Sequence, residues 1–296
     1  MSAPSDPALT TPPRAVPGDQ PRAGEFRRVG GDPTRGSVPW PLALPALVTV
    51  GFLLLPLVGL VIRAPWRSLY RVLAESQVIG ALRLSLVSAS AATVLSLLFG
   101  VPLAWVLARA RFRGRGLLRA LVTLPLVLPP VVGGVALLLA FGRRGVVGQY
   151  LDAWFGFSLP FTTFGVVVAE TFVAMPFLIL TVEGALRSAD RGYEEAAATL
   201  GASRLTVFRR VTLPLIAPSL VAGSVLCWAR ALGEFGATIT FAGNFPGRTQ
   251  TMPIAVYLAL ERDPESAIAL SLVLLAVSIA ILIGLRDRWL STGTVA

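Results

Sequence analysis

The sequence lacks the residues on which most catalytic and metal sites depend: it has no histidine, no lysine and a single cysteine. Without histidine there is no imidazole proton relay, and one thiol, that of Cys227, cannot form a disulfide within the chain. A metal site of the usual nitrogen and sulfur ligands is not expected either. Without lysine the chain cannot contain Gly-x-x-x-x-Gly-Lys-Ser/Thr, the loop that binds nucleotide phosphates in many ATPases. Any ATP-driven step must therefore be carried out by another polypeptide.

Charged residues are also scarce, at 14%, against about 25% in soluble domains. Hydrophobic residues make up 54%, and several apolar runs reach the roughly 18 residues needed to cross a bilayer. The net charge of +10 comes from arginine alone. In a soluble protein this excess would suggest nucleic-acid binding, but here the arginines cluster between apolar runs, next to membrane lipid. We therefore expect an all-α polytopic membrane protein with no nucleic-acid partner.

Six apolar runs predict six transmembrane helices, and composition divides the chain into four parts. Residues 1–38 are rich in Pro, Gly, Ser and Arg and predict a disordered tail. Residues 39–80 hold the first helix and an external loop, residues 81–286 a five-helix unit, and residues 287–296 a C-terminal tail. The expected helices lie at about Leu42–Ile62, Ala81–Ala108, Leu117–Phe141, Phe161–Leu186, Leu215–Phe241 and Ala267–Leu285.

The distribution of arginine between the loops predicts the orientation of the chain. An even number of spans places both termini on one side, and more arginines fall in the loops on that side than in the loops opposite. Because cytoplasmic loops carry the excess of positive charge, we expect both termini to be cytoplasmic. The polar segment 187–214, between the fourth and fifth spans, then also faces the cytoplasm.

This polar segment has local signals for two short helices joined by a tight turn. Asp190 is placed to cap a helix that runs to Leu200, and Gly201 to end that helix in the left-handed conformation. Ser203 is placed to cap a second helix that ends near Val211. Such a compact projection, with small residues and charge together, suits insertion into the cleft of a partner.

The segment also has the spacing of a known motif, with Glu-Ala-Ala, three residues, Gly, nine residues and then Ile-x-Leu-Pro; Val211 stands in the Ile place. At nearly every fixed position it resembles the EAA loop of permease subunits in ATP-binding-cassette importers. The resemblance implies that the loop docks a cytoplasmic ATPase and transmits its closure to the spans. The residues expected to act in this coupling are Glu194, Glu195, Ala196, Ala197, Gly201, Val211, Leu213 and Pro214.

The resemblance implies the rest of the assembly as well. Residues 81–286 would be the five-helix core of a type I importer permease, in the cytoplasmic (inner) membrane of a bacterium or archaeon. The permease would be a homodimer that works with two ATPase subunits and an extracytoplasmic oxyanion-binding protein. The ATPase would bind ATP and Mg²⁺, so this chain would need no cofactor and would not itself be an enzyme. A membrane enzyme would need a cluster of catalytic carboxylates, histidine or lysine near an interface, for which the sequence offers no candidate.

The fifth span carries polar residues that are costly in hydrocarbon and therefore tend to face a protein interior or a wet cavity. Arg230 and Glu234 are four apart on one helix face and are expected to pair, with Thr238 continuing that face. The pair either packs between helices or lies on a translocation pathway. Gly233 and Gly236 would allow a kink or a close helix contact. The candidate pathway residues are Arg230, Gly233, Glu234, Gly236, Thr238 and Thr240.

A resemblance in the same region narrows the range of expected substrates. Leu-Gly-Glu-Phe-Gly-Ala-Thr-Ile-Thr-Phe at 232–241, followed by Asn244 and Pro246-Gly247, looks like molybdate permease subunits. Sulfate and thiosulfate permeases are similar but keep these residues less closely. The resemblance implies import of molybdate, with tungstate as a co-substrate, and a sulfate or thiosulfate permease is the alternative. An ion-coupled secondary transporter, with Glu170 and Glu234 as proton carriers, is an alternative of a different class.

Several other residues of the spans have chemistry that needs an explanation. Arg83 and Arg248 are, with Arg230, candidates for contact with a dianion, although Arg83 is also placed to reach the interface. Glu183 is expected at the cytoplasmic interface, whereas Glu170 lies deeper and has no evident partner. The third span is expected to be kinked or broken and, with the fifth, to line the pore, because it is rich in proline and glycine. These residues are Pro125, Pro129, Pro130, Gly133 and Gly134.

Overall fold

The computed structural model describes residues 40–290, and all the regular secondary structure in this range is helical. The expected tail at 1–38 and the last six residues lie outside this range. The chain divides between Leu54 and Leu55 into two compact units. In the first unit, residues 40–54 form the N-terminal part of helix α1 (Trp40–Ile62). The second unit holds the rest of α1 and all the elements that follow.

Short loops join the helices of the second unit. The helices that follow α1 are α2 (Leu69–Leu73), α3 (Ser76–Arg109), α4 (Arg115–Val127), α5 (Pro130–Phe141), α6 (Gly148–Phe155), α7 (Thr163–Ser188), α8 (Gly192–Thr199), α9 (Arg204–Val207), α10 (Leu213–Leu232), α11 (Gly236–Ala242), α12 (Met252–Arg262) and α13 (Pro264–Leu290). Five helices in the described range are long and apolar enough to cross a membrane, and α4 with α5 supplies a sixth, bent passage. The prediction of an all-α polytopic fold is thus confirmed.

Helices α4 and α5 meet at a bend of 119°. Leu128 precedes a proline, whose ring disfavours helical backbone at that residue, and Leu128 is extended with a ψ of 129°. Pro129 and Pro130 have no N–H with which to continue the helix. Pro130 instead begins α5, where a missing N–H costs nothing. The predicted break in the third apolar run is therefore confirmed, and its cause is the proline pair.

Helices α3, α7 and α10 form the centre of the second unit. Small residues line their contacts, and this allows backbones to approach closely where lipid gives no hydrophobic driving force. Buried members of this core include Ala89, Ala92, Ala104, Ala174, Val182, Cys227 and Ala231. A second cluster joins α5, α7 and α11, and a third joins α3, α12 and α13. The bundle is therefore organised around α7, which contacts the other central helices.

Helix α3 begins at Ser76, five residues before its predicted start, and two C-terminal helix ends also differ from the prediction. The sequence predicts a fifth span that runs to Phe241, but α10 ends at Leu232 and the short helix α11 begins at Gly236. The final helix continues to Leu290, past the predicted end of the five-helix unit at residue 286. The break between α10 and α11 matters for function, because a helix that begins inside the bundle leaves N–H groups that need acceptors.

Candidate functional site

The polar segment between α7 and α10 folds as a short helix and a tight turn. Asp190 Oδ1 accepts a hydrogen bond from Gly192 N at 2.9 Å, but α8 begins at Gly192, so its N-cap is Arg191 and not Asp190 as predicted. Gly201 has a φ of +84°, which confirms the predicted left-handed stop. Ser203 Oγ accepts a hydrogen bond from Thr206 N at 3.2 Å and caps the next helix as predicted. Local sequence signals therefore define this turn.

The second helix of the segment does not end near Val211, and this part of the prediction is wrong. Helix α9 continues through one π-helical turn, Phe208–Thr212, directly into α10. In that turn Leu213 N donates to the carbonyl of Phe208, and the next residue, Pro214, has no N–H to donate. The wider turn brings the chain past the proline without a break. The segment is thus joined rigidly to the fifth span.

Glu194 connects the segment to two other elements. Its Oε1 accepts hydrogen bonds from Arg109 Nη2 at 2.8 Å and from Thr212 Oγ1 at 2.9 Å. Arg109 is the last residue of α3, and its side chain is only 8% exposed. We call this group of three side chains the Glu194 latch. Sequence reasoning missed it, because Arg109 lies 85 residues from Glu194 and no local pattern relates the two.

The outer face of the same segment is exposed and partly apolar. Glu195 and Ala196 are exposed, and Tyr193, Leu200 and Leu205 have 62%, 89% and 59% of their surface open. We call these five residues the loop surface. Nothing in residues 40–290 covers it, although large apolar side chains in water usually mark a contact with a partner.

A second polar group lies where α10 gives way to α11. Glu234 is 1% exposed and its Oε2 lies 2.6 Å from Arg230 Nη1, so the predicted ion pair is present. The approach is too oblique for a directed hydrogen bond. Glu234 Oε1 also accepts from Ala237 N at 2.9 Å and so caps the start of α11. Because α10 has already ended, Thr238 does not continue the helix face of Arg230, and that prediction is wrong; its buried hydroxyl has no partner within the described residues.

Close backbone contact fixes α11 against α5. A Cβ added at Gly236 would lie 2.9 Å from Pro130 Cβ, and one added at Gly134 would lie 2.6 Å from Thr240 Cβ. Larger residues would therefore push the two helices apart. Gly233 instead ends α10, with only the Ala229 carbonyl nearby at 3.6 Å. Of the two glycines predicted to allow a contact or a kink, one lies at a contact and the other at a helix end.

Two further glutamates are buried in the bundle. Glu170, at 1% exposure, accepts a hydrogen bond from Ser88 Oγ at 2.8 Å, while its Oε2 has no partner among the described residues. Glu183 is also 1% exposed and pairs with Arg119 at 2.6 Å and Arg187 at 2.8 Å. The Glu183 side chain is therefore buried, and two arginines that are themselves 41% and 39% exposed compensate its charge. Such paired charges tie α4 to α7.

The remaining candidate cations lie at the surface of the bundle. Arg83 on α3 is exposed, in agreement with a side chain that reaches an interface. Arg248 is exposed in the loop between α11 and α12, where its carbonyl accepts from Thr163 Oγ1 at 2.9 Å. Within the described residues, no group of three or more histidine, cysteine, aspartate or glutamate side chains could hold a metal ion.

Comparison with known proteins gives one family. Residues 100–292 match the family described as binding-protein-dependent transport system inner membrane component. The chain is 51% identical over 245 residues to the molybdenum transport system permease protein ModB of Mycobacterium bovis, covering 83% of this chain and 92% of that protein. ModB of Escherichia coli strain K12 is 43% identical over 211 residues, with coverages of 71% and 92%. The sulfate transport system permease protein CysT of Salmonella typhimurium is 40% identical over 238 residues, with coverages of 79% and 86%.

A solved structure has the same fold. It is the crystal structure of a bacterial alginate ABC transporter in complex with alginate pentasaccharide-bound periplasmic protein. One of its chains superposes with a TM-score of 0.68 at 21% identity, over 84% of this chain and 94% of that chain. At this identity the likeness concerns the fold alone, which is the helical fold of an ABC transporter chain.

Proposed function

Because the chain belongs to the family of binding-protein-dependent transport system inner membrane components, we propose that it is the permease subunit of an ATP-driven molybdate importer. The observation that carries the proposal is the loop surface beside the Glu194 latch, an exposed docking face that is rigidly connected to the bundle. The relatives named for molybdenum are more similar to this chain than the relative named for sulfate. Tungstate, a dianion of the same shape, is the expected co-substrate.

The coupling step follows from how the segment is attached. A separate ATPase docks on the loop surface and supplies ATP–Mg hydrolysis, since this chain has no lysine for a phosphate-binding loop. When the ATPase closes, α8 moves with it. The continuous helix from Arg204 to Leu232 and the Glu194–Arg109 pair carry that displacement to α10 and α3 together. Glu194 therefore acts inside the permease, and Glu195 faces the partner.

The pathway runs beside the interruption between α10 and α11. Arg230 is 28% exposed and offers guanidinium donors that Glu234 does not occupy. A dianion that crosses hydrocarbon requires such positive charge and free donors. Glu234 holds Arg230 in place and limits its net charge, so that the anion binds weakly enough to leave. The contacts of Gly134 and Gly236 allow α5 and α11 to shift as one gate.

The proposed assembly is a homodimer with two ATPase subunits and an extracytoplasmic oxyanion-binding protein. Helix α7 separates the coupling segment from the loops at its other end, because its 26 residues span about 39 Å. The arginine-rich coupling side would be cytoplasmic, together with both termini. The loop surface would then lie on the side where ATP is available.

The test is uptake of labelled molybdate by proteoliposomes that contain this chain, its co-expressed ATPase and its binding protein. Uptake should require ATP and should persist in excess sulfate. An ATPase variant that lacks its phosphate-binding lysine is the matched control and should give no uptake. If excess sulfate abolishes molybdate uptake, the substrate assigned to the transporter would be sulfate. Uptake without ATP that is abolished by an uncoupler would instead favour an ion-coupled carrier, with Glu170 and Glu234 as its proton carriers.

A further inference from the structure

A cleft of about 630 Å³ lies at the end of α7 that is remote from the coupling segment. Thr162, which lines the cleft, is the N-cap of α7, whereas Asp190 lies just beyond the other end of that helix. Under the proposed orientation, the cleft therefore faces the extracytoplasmic side. We call it the arginine cleft, because its only charged lining side chains among the described residues are Arg143 and Arg248.

The fold brings these two arginines together from distant parts of the sequence. Arg143 lies in the turn after α5, where Gly145 N donates to Gly142 O at 2.7 Å. Arg248 lies in the loop after α11, and that loop is fastened twice. Thr163 Oγ1 donates to the Arg248 carbonyl at 2.9 Å, and Thr249 Oγ1 accepts from Phe245 N at 2.9 Å. Both guanidinium groups therefore extend from constrained backbone.

The positive charge of the cleft is only partly compensated. Arg143 Nε lies 3.7 Å from Asp152 Oδ1, with side chains 74% and 39% exposed, and such exposed pairs bind weakly. Asp152 does not line the cleft. For Arg248, no carboxylate that the structure describes lies within 4.0 Å. The cleft therefore carries net positive charge.

The rest of the lining suits a small anion. Phe161 lines the cleft with a φ of +62°, a conformation that bulky residues rarely adopt, and its ring packs edge-on against Phe245 at 6.3 Å. Leu138 adds further apolar surface beside the arginines. Ser158 also lines the cleft, and its side chain makes no hydrogen bond with the described residues. Strained backbone at a residue that shapes a concave site suggests a ligand-binding role.

We propose that the arginine cleft is an extracytoplasmic binding subsite for a tetrahedral oxyanion, which Arg143 and Arg248 hold before it enters the bundle. The proposal rests on the proposed function in one respect, namely the side of the membrane that the cleft faces. Two arginines that converge on one concavity match the geometry of an oxyanion with several acceptor oxygens. The phosphate of a lipid headgroup has the same chemistry as a free molybdate, tungstate or sulfate ion, and the experiment separates these sources.

The experiment places a thiol at Ser158 and measures how fast an anionic, sulfonate-bearing thiosulfonate reagent modifies it. The only native thiol, that of Cys227, is fully buried and gives little background. The permease is studied with its ATPase in nucleotide-free nanodiscs of neutral lipid and again in nanodiscs of anionic phospholipid. Molybdate, tungstate, sulfate and chloride at equal ionic strength are the probes. Arg143→Gln/Arg248→Gln is the test variant, and Arg67→Gln/Arg144→Gln is the control with the same change of charge.

The expected result in neutral lipid is that molybdate slows modification of Ser158→Cys in the wild-type background while chloride does not. In Arg143→Gln/Arg248→Gln the reaction itself should be about tenfold slower, because the anionic reagent is no longer attracted, and molybdate should have no further effect. The control variant should behave as the wild type. Protection by any of the tetrahedral dianions supports the subsite, whichever of them the transporter carries.

Other outcomes overturn the proposal. If molybdate protects equally after the arginines are replaced, or protects in neither background, the cleft is not an oxyanion site. If protection appears only with anionic phospholipid and no added dianion, the site belongs to a lipid phosphate. If the double variant loses affinity for the binding protein without any loss of thiol protection, the arginines dock that protein instead. Molybdate uptake could still succeed in each case, so failure of the subsite is distinct from failure of the proposed function.

Discussion

Both ends of α10 are held by a glutamate, but the two glutamates work in different surroundings. At the start of α10, Glu194 accepts hydrogen bonds from Arg109 and Thr212 and is 20% exposed. At its end, Glu234 pairs with Arg230, caps α11 and is 1% exposed. Each carboxylate joins a short helix to a long one through an arginine. The same arrangement of charges therefore fastens the polar segment at one end of α10 and the proposed pathway at the other.

The difference in burial determines whether each glutamate contributes mainly to stability or mainly to coupling. A carboxylate taken fully out of water must be paired, and removing its partner leaves an uncompensated charge in the bundle. Glu234 is in that position, so it is expected to be mainly a requirement of the fold. Glu194 keeps some access to water, and Glu195 beside it is exposed and makes no ion pair among the described residues. The stability lost on substitution should therefore decrease from Glu234 through Glu194 to Glu195, and the effect on coupling should become the larger one.

The largest effect should come from Glu234→Ala. It removes the partner of Arg230 and the acceptor of Ala237 N, and we expect a loss of about 3 kcal/mol in the free energy of unfolding. Thermal unfolding in nanodiscs would measure it. Glu234→Gln keeps an acceptor and should lose less, as should Arg230→Met/Glu234→Leu, which removes both charges. A Glu234→Ala protein as stable as the wild type would remove the distinction between the two ends of α10.

Glu194→Gln should have an intermediate effect on stability and a larger one on coupling. Charge-assisted hydrogen bonds of this kind contribute about 2 kcal/mol, and Gln keeps the acceptor for Thr212. A double-mutant cycle with Arg109→Met should give a coupling energy of about 1 kcal/mol. ATP hydrolysed per molybdate transported should rise, because the loop no longer moves α3. An unchanged ratio with an intact coupling energy would show that the latch is structural only.

Glu195→Arg should have the smallest effect on the permease itself. Its side chain is exposed, so the Tm should not change measurably, whereas retention of the ATPase during purification should fall. Glu261→Arg changes an exposed glutamate on α12, outside the loop surface; it is the matched control and should retain the ATPase. Full retention by Glu195→Arg would contradict the docking role of the loop surface.

Local signals in the sequence predicted the turn at Gly201, the cap at Ser203 and the break at Pro129–Pro130 correctly. Each depends on neighbouring residues alone. The Arg230–Glu234 pair was also predictable from a spacing of four, but the end of α10 between them was not, because Glu234 as a cap and Gly236 against α5 favour a new helix there. The continuation of α9 into α10 was missed because a π-turn has no simple sequence pattern.

An all-α membrane protein with an EAA-type loop could be inferred without coordinates, because apolar length and motif spacing are properties of the chain. Which charges meet depends instead on how the helices pack. Glu194 and Arg109 are 85 residues apart, and Arg143 and Arg248 come from loops on different helices. The packing of small residues between α3, α7 and α10 determines those distances, and no local propensity encodes them.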